Sequence, residues 1–226
     1  IINDWNADLI SLYEVIRDDV YNLIKLLNEH STKNSSEYYY AIRSIDRTAE
    51  FHSKTKVWKA SRILYMLKVN YNGLYRVNSK GQFNTPYGRY KNPKIMDYEN
   101  LIAVSNYLNS SDIKITSGDF SDALISVQKN DFVYLDPPYI PINQSSNFTS
   151  YTSNGFGSEE QIRLRDTFVE LHNKGAYIML SNSYTESVYE LYSQFKKTIH
   201  VVEATRMINS KATQRGKIKE VIITNY

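Results

Sequence analysis

Residues 131–139 read Asp-Phe-Val-Tyr-Leu-Asp-Pro-Pro-Tyr, a strand-like run that ends on two prolines. Proline has no N–H to give to a ladder, so a strand over 131–135 must stop at Asp136. Pro138 in turn bars Pro137 from the α region and holds it extended. The result is a stiff tip in which the Asp136 carboxylate and the Pro137 carbonyl can point the same way. It stands at the carboxyl end of a strand, where open α/β sheets bind their ligands. Two fixed acceptors, one of them anionic, suit one chemical problem well. An exocyclic amine on a nucleobase is a poor nucleophile because its lone pair is delocalised into the ring. Accepting hydrogen bonds from both N–H groups pulls the nitrogen toward a tetrahedral shape and frees the lone pair to attack an electrophilic methyl. The same groups stabilise the positive charge that develops on nitrogen. Tyr139 offers a face on which the base can stack, and a base inside a duplex must be flipped out to reach it. The plainer reading is an Asp-Pro turn after a strand. The strand before it and the tyrosine after it favour a site.

Charge segregates along the chain. Residues 51–96 contain no Asp or Glu but ten basic residues: Lys54, Lys56, Lys59, Arg62, Lys68, Arg76, Lys80, Arg89, Lys91 and Lys94. Elsewhere 17 basic residues face all 24 acidic ones. A one-sided basic block carrying Trp58 and several tyrosines points to a polyanion such as DNA or RNA, against the plainer reading of a solvated helical face. With no cysteine, disulfides and thiolate metal sites are excluded, and His30, His52, His172 and His200 show no ligand-like spacing. No apolar run approaches the roughly 20 residues that span a bilayer, and no signal peptide is visible. The expectation is a cytoplasmic protein with neither a metal nor a membrane partner. Its 226 residues suffice for one core or one domain with a substantial insertion.

Taken in order, residues 1–6 read as a strand tail, and apolar periodicity through Leu9, Tyr13, Ile16, Val20, Leu23, Ile24 and Leu27 predicts one helix over 7–28. Asp4, just past a strand end, can bind the two hydroxyls of a ribose, or serve as a helix N-cap. Helices are expected over 37–45 and 57–69, the second with its basic residues outward. Two alternating runs, 74–78 and 82–86, flank Ser79-Lys80-Gly81 and predict a β-hairpin with Gly81 in the turn. Such a ribbon fits the major groove, where Arg reads guanine and apolar atoms touch a thymine methyl. Arg89, Tyr90 and Lys91 after it read as phosphate contacts. A helix over 97–109 and a strand over 112–116 lead to Gly118-Asp119-Phe120, where Asp119 can accept from an adenine amine while Phe120 packs on the ring. A helix through Ala123, Leu124 and Val127 leads back to the central strand. Residues 140–157, with Phe148, Thr149 and Tyr151, read as a lid. Ser158 and Gln161 form a capping box for a helix that ends near Gly175. Strands over 176–180, 200–204 and 218–224, a helix over 185–195 and a basic connection over 206–217 complete the chain. Alternating strands and helices with a basic α-rich insertion predict an α/β domain carrying an inserted recognition module.

These residues together resemble the Dam family of adenine-N6 DNA methyltransferases, and within it the DpnII-type modification enzymes that act on GATC. The likeness runs over nearly the whole chain. It rests on Asp-Pro-Pro-Tyr with the later Asn147-Phe148-Thr149-Ser150-Tyr151, on the hairpin region 71–91, and on Leu180-Ser181-Asn182. The resemblance implies an S-adenosylmethionine-dependent, Rossmann-like methyltransferase sheet with an inserted α-helical and β-hairpin DNA-recognition domain. Residues 1–30 and 110–226 would be catalytic and 31–109 would recognise the target. It implies methyl transfer to adenine N6 in GATC, with base flipping, by an enzyme of restriction–modification or of a phage. Asp136, Pro137, Pro138 and Tyr139 would be catalytic, and Asp4, Asp119, Phe120 and Asp136 would bind the cofactor. Tyr71, Asn72, Leu74, Arg76, Asn78, Pro86, Arg89, Tyr90 and Lys91 would contact duplex DNA, with Arg76 on guanine and Tyr71 and Asn72 at the gap left by the flipped base. The family also carries a Phe-x-Gly-x-Gly loop and a Lys-containing segment upstream of the Asp4 position, and neither stands in these 226 residues. Upstream residues or a second polypeptide are therefore expected to complete the cofactor site. The alternatives are a non-catalytic DNA-binding fragment or subunit, and an RNA adenine methyltransferase, against which the hairpin argues.

Overall fold

The computed structural model describes residues 1–141, 156–205 and 217–226. They divide into two compact units, Ile1–Ala123 and Leu124–Tyr226. The proposed lid residues Asn147, Phe148, Thr149, Ser150 and Tyr151 and the basic connection 206–216 lie outside the described residues.

The first unit is a helical core with a two-stranded sheet. Strand β1 (Ile2–Asp4) lies parallel to β2 (Ile115–Ser117), with Ile2 opposite Ile115 and Asp4 opposite Ser117. Helices α1 (Ala7–Asp18), α2 (Val20–Lys33), α3 (Ser36–Ser44), α4 (Glu50–Ser53), α5 (Lys56–Val69) and α6 (Tyr98–Ser110) lie between these strands in the chain. Leu12, Val15, Ile16, Leu23, Leu27, Tyr39, Ile63, Tyr65, Met66 and Val69 share one core. The single helix expected over 7–28 is two. Asp19 leaves helical geometry at φ −146°, ψ 43°, its N–H closing α1 on the Val15 carbonyl while its own carbonyl accepts from Leu23 at 3.2 Å and opens α2. Both pieces keep their apolar face on that core, so the periodicity runs through a break that no Gly or Pro announces.

Arg62 corrects the expectation that α5 turns all its basic residues outward. It is buried, donating from Nε to the Ile42 carbonyl at 2.9 Å and pairing with Asp46 at 2.9 Å. Lys54, Lys56 and Lys94 pair with Glu50, Glu14 and Asp97, whereas Lys68, Arg76, Lys80, Arg89 and Lys91 are exposed.

The hairpin forms around the expected turn but not as two regular strands. Val77 bridges Phe83 and Asn70 bridges Tyr87, both antiparallel, with Asn78 N–H on the Gln82 carbonyl at 2.9 Å and Asn84 N–H on the Arg76 carbonyl at 2.9 Å. Side chains of the helical core take the remaining backbone groups. Arg47 donates to the Phe83 carbonyl (2.8 Å), Tyr39 and Arg43 donate to that of Thr85 (2.8 and 3.0 Å), and Asp46 accepts the Phe83 N–H (2.8 Å). Bonds that would have built a ladder instead moor the hairpin.

The second unit holds a mixed sheet in the order β3-β4-β6-β5: β3 (Phe132–Leu135), β4 (Tyr177–Ser183), β5 (Ile199–Thr205) and β6 (Lys217–Thr224). β3 and β4 are parallel, and β6 is antiparallel to both of its neighbours. The helix expected before β3 is short, α7 (Phe120–Leu124), followed by a turn from Leu124 to Val127. Helix α8 (Ser158–Lys174) buries Leu164, Phe168 and Leu171 and ends on Gly175 at φ 82°, a left-handed position that only glycine takes freely. The capping box at its start does not form. Gly157 is the N-cap, without a side-chain cap bond, and the Gln161 side chain points into the protein. Strand β4 runs three residues past the expected 180. The helix expected over 185–195 is α9 (Glu186–Leu191) and then a 3-10 turn over Ser193–Thr198. The result is a mixed α/β protein. Among the described residues no helix is long and apolar enough to cross a membrane, and no cluster of His, Asp and Glu could hold a metal ion.

Candidate active site

The Asp-Pro-Pro-Tyr tip begins where β3 stops, at the carboxyl end of the parallel pair β3–β4. Asp136 is exposed there and its Oδ1 accepts from the Ser181 hydroxyl at 2.7 Å. The Tyr134 hydroxyl stands 3.1 Å from the same Ser181 oxygen, so a run from Tyr134 through Ser181 to Asp136 uses each hydroxyl proton once. Burial pushes the Tyr139 phenol above its ordinary value; a hydrogen bond with Ser181 opposes this and the Asp136 carboxylate adds to it. Tyr139 is thus a neutral, half-buried ring beside an acceptor.

Past the prolines the backbone has no strand partner, and side chains replace it. Gln161 Nε2 donates to the Pro138 carbonyl at 2.7 Å, Asn182 Oδ1 accepts the Ile140 N–H at 3.0 Å, and the Ser183 hydroxyl donates to the Ile140 carbonyl. Gln161, Ser181, Asn182 and Ser183 are all buried. The capping-box spacing places Gln161 at a helix start, and the sequence pattern assigns Ser181 and Asn182 no role of their own. One signal was present: Gln161 falls on the 161–164–168–171 stripe of α8, an isolated polar residue on an otherwise apolar face.

In the first unit Asp4 ends β1 and Asp119 follows the adjacent parallel β2, and the Gly118 N–H donates to the Asp4 carbonyl at 3.2 Å. The cap of α1 is Asn6, which accepts from Asp8 and Leu9, while Asp4 Oδ1 takes the Asn6 N–H at 2.6 Å. Asp119 Oδ1 accepts from the backbone and the hydroxyl of Ser121, at 2.8 and 2.6 Å, at the start of α7 beside Phe120.

The candidate DNA-reading residues share the hairpin and its approach. Arg76 is exposed and donates to Asn84, from Nε to Oδ1 at 2.6 Å and from Nη2 to the carbonyl at 3.2 Å. Asn78 is spent on the turn, its Oδ1 accepting the N–H groups of Lys80 and Gln82. The Leu74 carbonyl accepts from Asn70 and Thr85, and that of Pro86 accepts the Tyr71 N–H. Asn72 sits in the left-handed region at φ 58° and gives its N–H to the Tyr90 hydroxyl at 3.0 Å. Its Nδ2 is buried with no hydrogen-bond partner among the described residues. Arg89 (φ 56°) and Lys91 are exposed on either side of Tyr90.

Residues 1–208 match the family of D12 class N6 adenine-specific DNA methyltransferases. The chain belongs to that family. It is 53% identical to the type II methyltransferase M1.LlaDCHI of Lactococcus lactis subsp. cremoris, over all of this chain and 79% of the relative. It is 43% identical to the type II methyltransferase M.MjaIII of Methanocaldococcus jannaschii, over 100% and 80% of the two chains. Identity to the DNA adenine methylase of Escherichia coli K12 is 32%, over 98% and 77%. The protein is therefore an adenine-specific DNA methyltransferase, and in this D12 enzyme the Asp-Pro-Pro-Tyr tip is the candidate active site.

Proposed function

We propose that this methyltransferase transfers a methyl from S-adenosylmethionine to adenine N6 in duplex GATC, acting on a base flipped out of the helix. The carrying observation is the Asp136 carboxylate, directed by Ser181 at the end of β3, with the next backbone groups fixed from β4 and α8. Asp136 and the Pro137 carbonyl accept hydrogen bonds from the two amine N–H groups, Tyr139 stacks on the base, and the fixed acceptors favour positive charge on the nitrogen as it attacks the methyl. When bound, S-adenosylmethionine supplies the electrophilic methyl. The donor chemistry fits it: carboxylates at the ends of β1 and β2 accept from ribose hydroxyls and an adenine amine, with Phe120 beside them. By the family resemblance, Asp4, Asp119, Phe120 and Asp136 would be the residues that hold it. The parallel pair ending in the catalytic motif supports a Rossmann-like sheet.

Residues 31–109 are the recognition module in this reading, with 1–30 and 110–226 catalytic and the protein cytoplasmic. Arg76 reads guanine, Leu74, Asn78 and Pro86 line the reading ribbon, and Tyr71 and Asn72 stand at the flipped-out gap. Arg89, Tyr90 and Lys91 hold phosphates. The exposed lysines and arginines around the hairpin support this.

The test is transfer from labelled S-adenosylmethionine to duplexes that differ in one GATC. Label in the GATC duplex, lost in Asp136→Ala with duplex binding retained, supports the proposal. Equal label in both duplexes removes the GATC assignment, and no heat on titrating S-adenosylmethionine removes the cofactor. Arg76→Ala should cost about 1–3 kcal/mol at one base pair. A uniform loss over all sequences makes Arg76 a phosphate contact.

A further inference from the structure

We infer that Gln161 and Asn182 form a buried amide clamp that sets the position of the Asp-Pro-Pro-Tyr tip, and that both are positioning residues for methyl transfer. This rests on reading Asp136 through Tyr139 as the base-holding tip. Two prolines end β3, so the Pro138 carbonyl and the Ile140 N–H have no ladder to join. Each instead meets one of the two amides: Gln161 Nε2 donates to Pro138 O at 2.7 Å, and Ile140 N donates to Asn182 Oδ1 at 3.0 Å. The amides are joined by Asn182 Nδ2 donating to Gln161 Oε1 at 3.3 Å, and Asn182 Oδ1 also accepts the Ser183 N–H at 2.8 Å. Every polar atom of both side chains is used.

Their orientations follow from this network rather than from packing. Turning the Gln161 amide over would set its oxygen against the Pro138 carbonyl. Turning Asn182 would set its NH₂ against the N–H groups of Ile140 and Ser183. Each change leaves buried groups without partners, in residues only 3% and 0% exposed. The clamp therefore has one satisfied state. It ties the backbone of Pro138 and Ile140 to α8 and β4, each anchored in the apolar core. Because Pro137 and Pro138 are stiff, a shift at the Pro138 carbonyl is carried to the Pro137 carbonyl and to Asp136. Misplacing a reacting group by about 1 Å can cost on the order of 100-fold in rate.

Two Gln161 variants of the full-length protein test the clamp. Gln161→Met keeps the volume but removes both polar functions. Gln161→Glu keeps the shape, but its ionised carboxylate faces the Pro138 carbonyl, whereas its protonated form can donate to it. For Gln161→Met we expect kcat about 10–100-fold lower, with KM for the duplex within about 2-fold of the parent. For Gln161→Glu the rate relative to the parent should climb as pH falls, which loss of packing does not produce. Independently of activity, amide exchange at Ile140 should speed up about 10-fold in Gln161→Met, measured by hydrogen exchange without DNA or cofactor. Parent-like kcat and Ile140 exchange in Gln161→Met overturn the clamp. A lowered melting temperature with parent-like kcat in the cold also overturns it, by making Gln161 structural only. If the parent itself methylates no adenine duplex, the reading of the tip fails, and Ile140 exchange alone decides the clamp.

Discussion

Replacing Asp46 with Ala should unfold the first unit far more easily than loss of one surface ion pair would. The side chains of Asp46 and Arg62 are 9% and 4% exposed and lie 2.9 Å apart. Asp46 also accepts from Arg47 at 2.6 Å and from the Phe83 N–H at 2.8 Å. Burial pulls the Arg62 pKa below its ordinary value, and Asp46 is the chief opposing influence. Removing the carboxylate strands a buried guanidinium, a change that costs about 3–5 kcal/mol. For a chain of this size, about 2–4 °C of melting temperature per kcal/mol gives a fall of about 6–20 °C. Circular dichroism on heating reads this directly. The double variant Asp46→Leu/Arg62→Met removes both charges and should be more stable than Asp46→Ala. A deficit of about 1–3 kcal/mol should remain, because the Phe83 N–H still lacks an acceptor. A fall below about 2 °C in Asp46→Ala, or a double variant that is the sum of its single changes, refutes the argument. The consequence reaches the hairpin, since Phe83 is held by Asp46 and Arg47. Duplex affinity should fall before the melt is complete.

His30 is buried against Tyr38, Ser61 and Tyr65, and burial, with Lys33 adding to it, pushes its pKa down to about 4. The unfolded chain then binds a proton that the native state refuses, so His30's share of stability is whole above about pH 6.5 and drains away toward pH 4. The unfolding free energy from urea titrations should fall by up to about 3 kcal/mol over that window and less steeply in His30→Gln; parallel curves would rule this out. A Cβ on Gly88 would lie 2.6 Å from the Asn70 carbonyl oxygen and 2.5 Å from Tyr90 Cε2. Gly88→Ala should therefore cost about 1–3 kcal/mol and weaken duplex binding, and a parent-like melt would show that the backbone gives way freely. Ser181→Ala removes the donor to Asp136 and should lower kcat about 10-fold or more without loss of duplex affinity. Full activity would leave Asp136 needing no orienter.

Much was legible in the chain because some physical constraints are local. Two prolines end a strand wherever they stand, so the sequence places the end of β3 just before Asp136. The stretch without acidic residues marked a basic region, and Gly175 marked the end of α8. The two-residue spacing around Ser79-Lys80-Gly81 located a hairpin turn, though not its moorings. What the sequence could not show depended on partners far along the chain. The break at Asp19 carries no Gly or Pro, and Arg62 looks like any exposed helical arginine until Asp46 is folded beside it. Gln161 and Ser158 have the spacing of a capping box, a local preference worth about 1 kcal/mol. Tertiary structure overrode it because Gln161 lies on the buried face of α8, where the Pro138 carbonyl and Asn182, 23 and 21 residues away, offer partners. Sequence alone thus determined where the chain turns, where its charge gathers and which residues are the candidates for the chemistry. Only the folded structure decided which side chains hold those residues in place, because a buried polar group must take whatever partner the packed core brings to it.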